Sequence, residues 1–133
     1  AIRYLAGELA RLDLGAFDLV TAFEVIEHVA DKRAFVQALA DRLKPGGLLV
    51  MSTPNRTMAS RLLLVEAAER VGYVPRGTHR WEDFVTPEEL ADLLAGAGLE
   101  LGPARGIAWR PGRGLSLSDS DLSLNYIFTA TRG

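Results

Sequence analysis

Two carboxylates and an imidazole lie close together in the first quarter of the chain. Glu24, Glu27 and His28 are spaced i, i+3 and i+4, so a helical turn after a strand would bring all three side chains to one side. An imidazole in such a cluster can accept a proton from a substrate, which makes His28 a candidate general base. A structural interpretation stays open, in which Glu27 caps a neighbouring backbone turn and His28 hydrogen-bonds across the loop.

The elements around these residues follow the pattern of an α/β sheet. Residues 17–23 are rich in aromatic and β-branched side chains after the turn-prone Gly15, which predicts a buried strand. A helix is predicted over residues 31–43, with Asp31 as its amino-terminal cap, and the Lys44-Pro45-Gly46-Gly47 sequence stops it. Residues 47–53 then predict a second apolar strand. Because such a crossover is right-handed, the two strands should be parallel neighbours.

The second half of the chain carries further helix and strand signals. A cap, a first-turn proline and a capping box start a helix at Thr86-Pro87-Glu88-Glu89, and Gly98 is predicted to end it. Two strands are predicted at residues 99–109 and 122–131, with a Gly/Pro/Ser/Asp-rich connection between them. They could pair as an antiparallel hairpin with a long loop. With no internal repeat and no linker, residues 1–133 are interpreted as one domain.

Composition excludes several classes of protein. The 133 residues are 48% hydrophobic and 24% charged, which is the profile of one globular domain. A formal net charge of -2, from 15 basic and 17 acidic residues, lacks the positive field of a nucleic-acid binder, so nucleic acid is not an expected partner. The absence of cysteine excludes disulfides, thiolate metal sites and a cysteine nucleophile. Residues 1–5 lack the pattern of a secretory signal, which favours a cytoplasmic protein.

Several motifs resemble one superfamily of enzymes. The run Phe23-Glu24-Val25-Ile26-Glu27-His28-Val29, then a helix and Lys44-Pro45-Gly46-Gly47, resembles the fourth strand to fifth strand of class I S-adenosylmethionine-dependent methyltransferases. Other segments resemble the bacterial ubiquinone-biosynthesis O-methyltransferases: Ser52-Thr53-Pro54-Asn55-Arg56, Pro75-Arg76-Gly77-Thr78-His79 with Trp81 and Phe84, Pro87-Glu88-Glu89-Leu90 and Leu124-Asn125-Tyr126. The resemblance covers nearly the whole chain, and its Gly-Thr-His-x-Trp-x-x-Phe segment is the most discriminating part.

The resemblance implies a Rossmann-like class I methyltransferase sheet, with an antiparallel carboxy-terminal strand pair but without the first strands and the glycine-rich cofactor loop. Ile2 to Ala6 would be the third strand. Because the chain also lacks an initiator methionine, we expect about half of the cofactor site to lie upstream of residue 1. For S-adenosylmethionine, the resemblance implies a contact by Phe23 and an adenine contact by Glu8. The alternatives are a core aromatic for Phe23 and a solvated glutamate for Glu8.

The resemblance also implies roles at the substrate. Enzymes of this family are linked to a divalent metal at the positions of Glu24, Glu27 and His28. Two carboxylates suit Mg²⁺, although histidine is not its preferred ligand, and the ion would lower the pKa of a substrate phenol. His79 would line the substrate mouth or orient the phenol, unless it is a structural loop histidine.

The implied reaction is methylation of a phenolic hydroxyl on a polyprenylated ubiquinone precursor, a phenol or quinol. Two alternatives stay open. The chain could belong to a class I methyltransferase of another small metabolite, or it could be a truncated, non-catalytic module that binds lipid or a partner.

Residues 57–76 are interpreted as a helical insertion. They are apolar from Met58 to Val71 and carry several arginines, but the apolar run is too short to span a bilayer. The helix could instead lie on an anionic membrane, which would make the protein peripheral at the inner face of the cell membrane. The alternative is a crossover or lid helix packed on the sheet, which Glu66 and Glu69 favour.

Overall fold

One mixed sheet organises the chain. The computed structural model describes residues 1–72, 75, 77 and 80–133. The sheet has six strands: β1 Phe17–Phe23, β2 Leu43–Pro54, β3 Leu99–Leu101, β4 Arg105–Arg110, β5 Gly114–Ser118 and β6 Asn125–Arg132. Their order is β1-β2-β6-β4-β5, and β3 also pairs with β6, in line with β4. The predicted α/β class is confirmed.

The predicted strand-helix-strand unit is formed. The helix Lys32–Asp41 follows β1, and the Asp31 side chain caps it by accepting a hydrogen bond from the Ala34 N–H at 2.9 Å. Strands β1 and β2 pair in parallel, as predicted, up to Phe23 opposite Ser52. The apolar side chains of β2 are largely buried, whereas residues 17–23, predicted as a buried strand, bury only Ala22 and leave Phe17, Leu19 and Phe23 exposed.

Strand β2 begins earlier than predicted. Leu43 already pairs with Phe17, and the next pair joins Leu48 to Leu19. Between these two pairs β2 advances by five residues while β1 advances by two. The extra residues are Lys44-Pro45-Gly46-Gly47, where Gly46 takes a left-handed φ of 73°. The motif does end the helix, but it forms an irregularity inside the strand because glycine permits the local bend.

The carboxy-terminal part contains four strands where two were predicted. The 99–109 strand is interrupted after Leu101, because Pro103 offers no N–H and Gly102 lies against Thr129 of β6. Both pieces, β3 and β4, pair antiparallel with β6, which confirms the predicted antiparallel arrangement. The predicted long loop holds an additional strand, β5, which pairs with β4.

The strand predicted at Ile2 to Ala6 is not formed. Residues 1–6 have no regular structure, and Ile2 and Tyr4 are 77% and 87% exposed. A strand needs a neighbour for its N–H and C=O groups, and no described strand pairs with this segment. A short 3₁₀ turn, Leu9–Arg11, follows.

Among the described residues, two helical segments and a short 3₁₀ turn, Trp81–Asp83, lie between β2 and β3. Segment 58–70 is continuous and helical, with π-type hydrogen bonding over Arg61–Ala67. Helix Pro87–Gly96 begins at the predicted capping box, in which Thr86 and Glu89 bond each other's backbone N–H groups. Among the described residues, none of the helices combines the length and apolarity that would carry it across a bilayer.

The core lies between the sheet and the helices Lys32–Asp41 and Pro87–Gly96. Its fully buried members include Ile26, Val36, Leu43, Leu49, Met51, Leu90, Leu94 and Tyr126. The Tyr126 hydroxyl donates a hydrogen bond to the Val85 carbonyl at 2.8 Å. This core holds the ends of β1, β2 and β6 at one edge of the sheet.

Candidate functional site

The carboxyl ends of β1 and β2 meet at one edge of the sheet, where ligands of open α/β folds bind. Phe23 ends β1 and is 53% exposed, so its ring faces solvent at this edge. Strand β2 ends at Pro54, which pairs with Asn125 at the start of β6. The candidate catalytic residues follow directly after Phe23.

Glu24 forms a sharp corner immediately after β1. Its φ of 53° lies in the left-handed region, which costs a non-glycine residue free energy. The backbone N–H of Glu24 donates to the Ser52 carbonyl at 2.9 Å. Its carboxylate accepts from the Ser52 hydroxyl at 2.9 Å and from the Asn125 amide at 3.0 Å. Both oxygens of Glu24 therefore have protein donors.

Glu27 lies in the 3₁₀ turn Ile26–His28 and is almost completely buried, with 4% of its surface exposed. Its Oε2 accepts a hydrogen bond from the Thr53 hydroxyl at 3.0 Å. Its Oε1 is buried and accepts no hydrogen bond from the part of the chain that the structure describes. Burial raises the pKa of Glu27, and its own backbone hydrogen bond and the Thr53 hydroxyl oppose that rise only in part.

His28 has a half-exposed side chain, and its Nε2 lies 3.8 Å from the Glu27 Oε1. Both side chains line a cavity of about 430 Å³. The other residues that line the cavity are Val29, Ala30, Lys32, Gly77, Arg80, Asp83 and Phe84. The cavity therefore has cationic, anionic and aromatic walls, and one buried carboxylate oxygen in it lacks a donor.

The structure differs from the single helical turn that the spacing predicts. Glu24 is bonded to Ser52, whereas Glu27 is bonded to Thr53. The two carboxylates are therefore anchored by different, adjacent residues of β2. Within the described ranges, no group of three His, Cys, Asp or Glu side chains is placed to hold one ion. The predicted convergence of Glu24 with Glu27 and His28 is not formed.

Glu8 and His79 were also predicted to belong to the site. Glu8 is exposed and forms an ion pair with Arg11 at 2.8 Å, while it also lines a second cavity, of about 470 Å³, with Val29 and Phe35. His79 lies outside the described residues.

Sequence reasoning assigned no role to Ser52, Thr53 and Asn125. They hold the two glutamates, and each comes from a segment that the family resemblance already singles out. The prediction of parallel neighbours places the end of β2 beside the end of β1, so Ser52 and Thr53 could have been found. Asn125 could not, because its contact with Glu24 spans 101 residues of sequence.

Comparison with known proteins gives the family. A family model described as a methyltransferase domain matches residues 5–102. A ubiquinone biosynthesis O-methyltransferase from Methylobacterium sp. (strain 4-46) is 47% identical over 117 residues, which are 87% of this chain and 47% of that protein. The chain spans about half the length of the curated relatives it matches.

Solved structures share the fold at low sequence identity. A SAM-dependent methyltransferase from Thermotoga maritima has a TM-score of 0.74 and 19% identity, over 97% of this chain and 63% of that one. An N-methyltransferase from Bradyrhizobium japonicum WM9, in complex with S-adenosyl-L-homocysteine, has a TM-score of 0.56 and 16% identity, over 96% of this chain and 53% of that one. With a family model that covers most of its length and a class I methyltransferase fold, this chain belongs to the methyltransferase domain family.

Proposed function

We propose that the chain forms the carboxy-terminal part of an S-adenosylmethionine-dependent O-methyltransferase that methylates a phenolic hydroxyl on a polyprenylated ubiquinone precursor. The observation that carries the proposal is the 47% identity with a protein named ubiquinone biosynthesis O-methyltransferase. Identity at this level over 87% of the chain reaches well beyond the superfamily motif at the end of β1. Since 117 of the 133 residues are matched, the identity also extends over most of the chain after β2.

Two residues of this chain would contact S-adenosylmethionine. Phe23 presents an exposed ring at the carboxyl end of β1, where an adenosyl or methionine moiety could pack on it. Glu8 lies at the rim of the cavity of about 470 Å³, and its carboxylate could accept from the adenine amino group if it left Arg11. The cofactor, when bound, supplies an electrophilic methyl group on sulfonium sulfur.

A divalent cation fits part of the proposed ligand set. Glu27 Oε1 is buried without a donor, and His28 Nε2 lies 3.8 Å away, so both could face one ion. Glu24 would join them only by giving up hydrogen bonds from Ser52 or Asn125. An ion such as Mg²⁺, when bound, would polarise the substrate phenol and lower its pKa.

The residues of the cavity would handle the substrate and its proton. His28 is placed at the cavity wall to accept the phenolic proton, because its imidazole is half exposed beside the buried Glu27. Lys32 and Arg80 supply positive charge that favours a phenolate. Phe84 closes the cavity floor and excludes water from the buried side. His79 stays a candidate for orienting the phenol.

Segment 58–70 could bring the protein to the membrane that holds such a substrate. Met58, Leu62 and Leu63 are exposed, which suits shallow burial in a bilayer. Arg61 pairs with Glu66 at 3.6 Å, and Arg61 also lies over the Trp81 ring. The segment therefore contacts Trp81, which follows the cavity residue Arg80 in the chain, and its charge is partly neutralised. This contact is compatible with a lid helix.

Methyl transfer by the full-length protein tests the proposal. Purified protein with S-adenosylmethionine and a short-tailed demethylubiquinol should yield the O-methylated quinol, detected by mass spectrometry. Turnover of other small phenols but not of the quinol would point to a different methyltransferase substrate. Cofactor binding without turnover of any phenol would favour a non-catalytic module. The isolated 133-residue chain should bind S-adenosylmethionine poorly in calorimetric titration.

A further inference from the structure

The hairpin formed by β4 and β5 carries an exposed apolar face that the proposed function does not use. Ile107 pairs with Leu117, and Trp109 pairs with Leu115. Side chains of directly opposed residues lie on one face of an antiparallel pair, so all four share that face. Trp109, Leu115 and Leu117 are 66%, 74% and 50% exposed. Large apolar side chains grouped in this way usually mark a contact surface.

The tip of this hairpin is basic. Residues 105–118 contain three arginines and no acidic residue, although the whole chain has a net charge of -2. Arg105 pairs with Asp119 at the base of the hairpin. Arg110 and Arg113 flank the turn. Neither lies within ion-pair distance of another described residue, although the charge of Arg110, after the hydrogen bonds from Ser123, contributes to lowering the pKa of the Asp121 carboxyl. The tip thus has two cationic side chains next to an exposed tryptophan.

The hairpin projects from the same edge of the sheet as the candidate site. Strand β4 makes its last pair with β6 at Ile107 and Asn125, and Asn125 also pairs with the last residue of β2. Residues beyond Ile107 therefore extend past the edge at which Asn125 contacts Glu24. Strand β5 is the last strand of the sheet order, at the opposite end from β1.

We propose that this hairpin tip is a docking element for an anionic bilayer surface, with Trp109 and Leu115 buried among the headgroups and Arg110 and Arg113 paired with lipid phosphates. Tryptophan prefers the membrane interface because its ring is amphipathic. Arginine near an anionic surface adds favourable free energy that falls with salt. The proposal extends the proposed function, since a bilayer is where a polyprenylated substrate resides.

The charge of the tip favours a bilayer over a second copy of the chain. Two hairpins that met through their exposed faces would bring four arginine side chains together, because Arg110 and Arg113 would be present twice. An anionic lipid surface instead complements both the charge and the apolar side chains. The hairpin is also better suited to such lipids than segment 58–70, where Arg61 is paired with Glu66.

Vesicle flotation with the full-length protein tests the docking element without any methyl transfer. Vesicles of phosphatidylcholine, with and without phosphatidylglycerol, should be compared. We expect Arg110→Gln and Arg113→Gln each to weaken binding to the phosphatidylglycerol vesicles about fivefold. Trp109→Ser with Leu115→Ser should weaken it more than about tenfold. Trp109→Phe, Arg110→Lys and the distant Arg33→Gln serve as controls and should retain binding.

Three results would overturn the docking element. The first is that the wild-type protein does not float with phosphatidylglycerol vesicles. The second is that the hairpin variants float like the wild type. The third is that the hairpin variants disrupt a protein complex but leave flotation unchanged. A double variant of Leu62 and Leu63 to serine shows separately whether segment 58–70 binds lipid. Turnover of a short-tailed, water-soluble quinol by the hairpin variants separates membrane docking from the proposed methyl transfer. This turnover should be normal even if docking fails.

Discussion

The corner at Glu24 and the turn that holds Glu27 are three residues apart, yet they place the same functional group in opposite surroundings. Glu24 is exposed and accepts hydrogen bonds on both carboxylate oxygens. Glu27 is buried and has a donor on only one of them. The difference arises from β2, because Ser52 and Thr53 point to opposite faces of the strand. Neighbouring carboxylates in a motif are therefore not equivalent. A ligand could supply the partner that Glu27 Oε1 lacks, whereas both oxygens of Glu24 already have protein donors.

Glu27 should be the more sensitive position for activity. In the full-length enzyme, we expect Glu27→Gln to lower kcat at least about 100-fold, since the amide neither accepts a proton nor binds a cation as the carboxylate does. The fold should survive, because the amide keeps the shape and can still bond Thr53. The measurement is kcat alongside the melting temperature. Normal turnover by Glu27→Gln would reduce Glu27 to a structural role.

Glu24 should be less sensitive, and metal dependence sharpens the difference. We expect Glu24→Gln to lower kcat by roughly tenfold, since Glu24 already satisfies protein donors and would join a cation only after rearrangement. Chelation of divalent ions should lower the activity of the wild type and leave the Glu27 variant unchanged. If chelator has no effect on the wild type, both glutamates act without metal and the ligand hypothesis is wrong.

The hydroxyl partners should differ in their effect on stability. Thr53→Val removes the donor to a buried carboxylate, so the free energy of unfolding should fall by about 1–3 kcal/mol. Ser52→Ala should cost about 0.5–1.5 kcal/mol, because Glu24 keeps Asn125 and solvent as partners. Urea unfolding of the two variants gives the comparison. Equal losses would mean that the two carboxylates are equally dependent on their donors.

The raised pKa of Glu27 makes stability depend on pH in a defined direction. Burial raises its pKa above the ordinary value of 4.5, so the folded state favours the protonated carboxyl. That contribution is fully present below the unfolded pKa and is lost as pH rises through the folded pKa. Unfolding free energies should therefore fall more from acid to neutral pH for the wild type than for Glu27→Gln. Identical pH profiles would show that Glu27 is not perturbed.

Local signals in the sequence were sufficient for several elements. The cap at Asp31, the capping box at Thr86 and Glu89, and the parallel crossover from β1 to β2 were all predicted and are all formed. Each depends on residues within a few positions of one another, or on a connection with one preferred handedness. The family resemblance was predicted from motifs and is confirmed by the relatives.

Non-local packing accounts for what the sequence did not predict. The predicted helical turn over Glu24, Glu27 and His28 is replaced by a left-handed corner and a 3₁₀ turn, because Glu24 is bonded to Ser52 and Asn125. The strand predicted at residues 2–6 is not formed, because no described strand pairs with it. Strand β5 was predicted as part of a loop, since Pro111 and the neighbouring glycines conceal the pairing of Leu115 with Trp109.

The sequence by itself determined the α/β class, the capped starts of two helices and the parallel pairing of β1 with β2. Those follow from periodicity, capping and strand order, which are properties of short segments. Only the tertiary structure decided which glutamate is buried, which oxygen lacks a donor and where the exposed hairpin face points. These depend on contacts such as Glu24 with Asn125, 101 residues apart, whose partners are brought together only when the sheet forms.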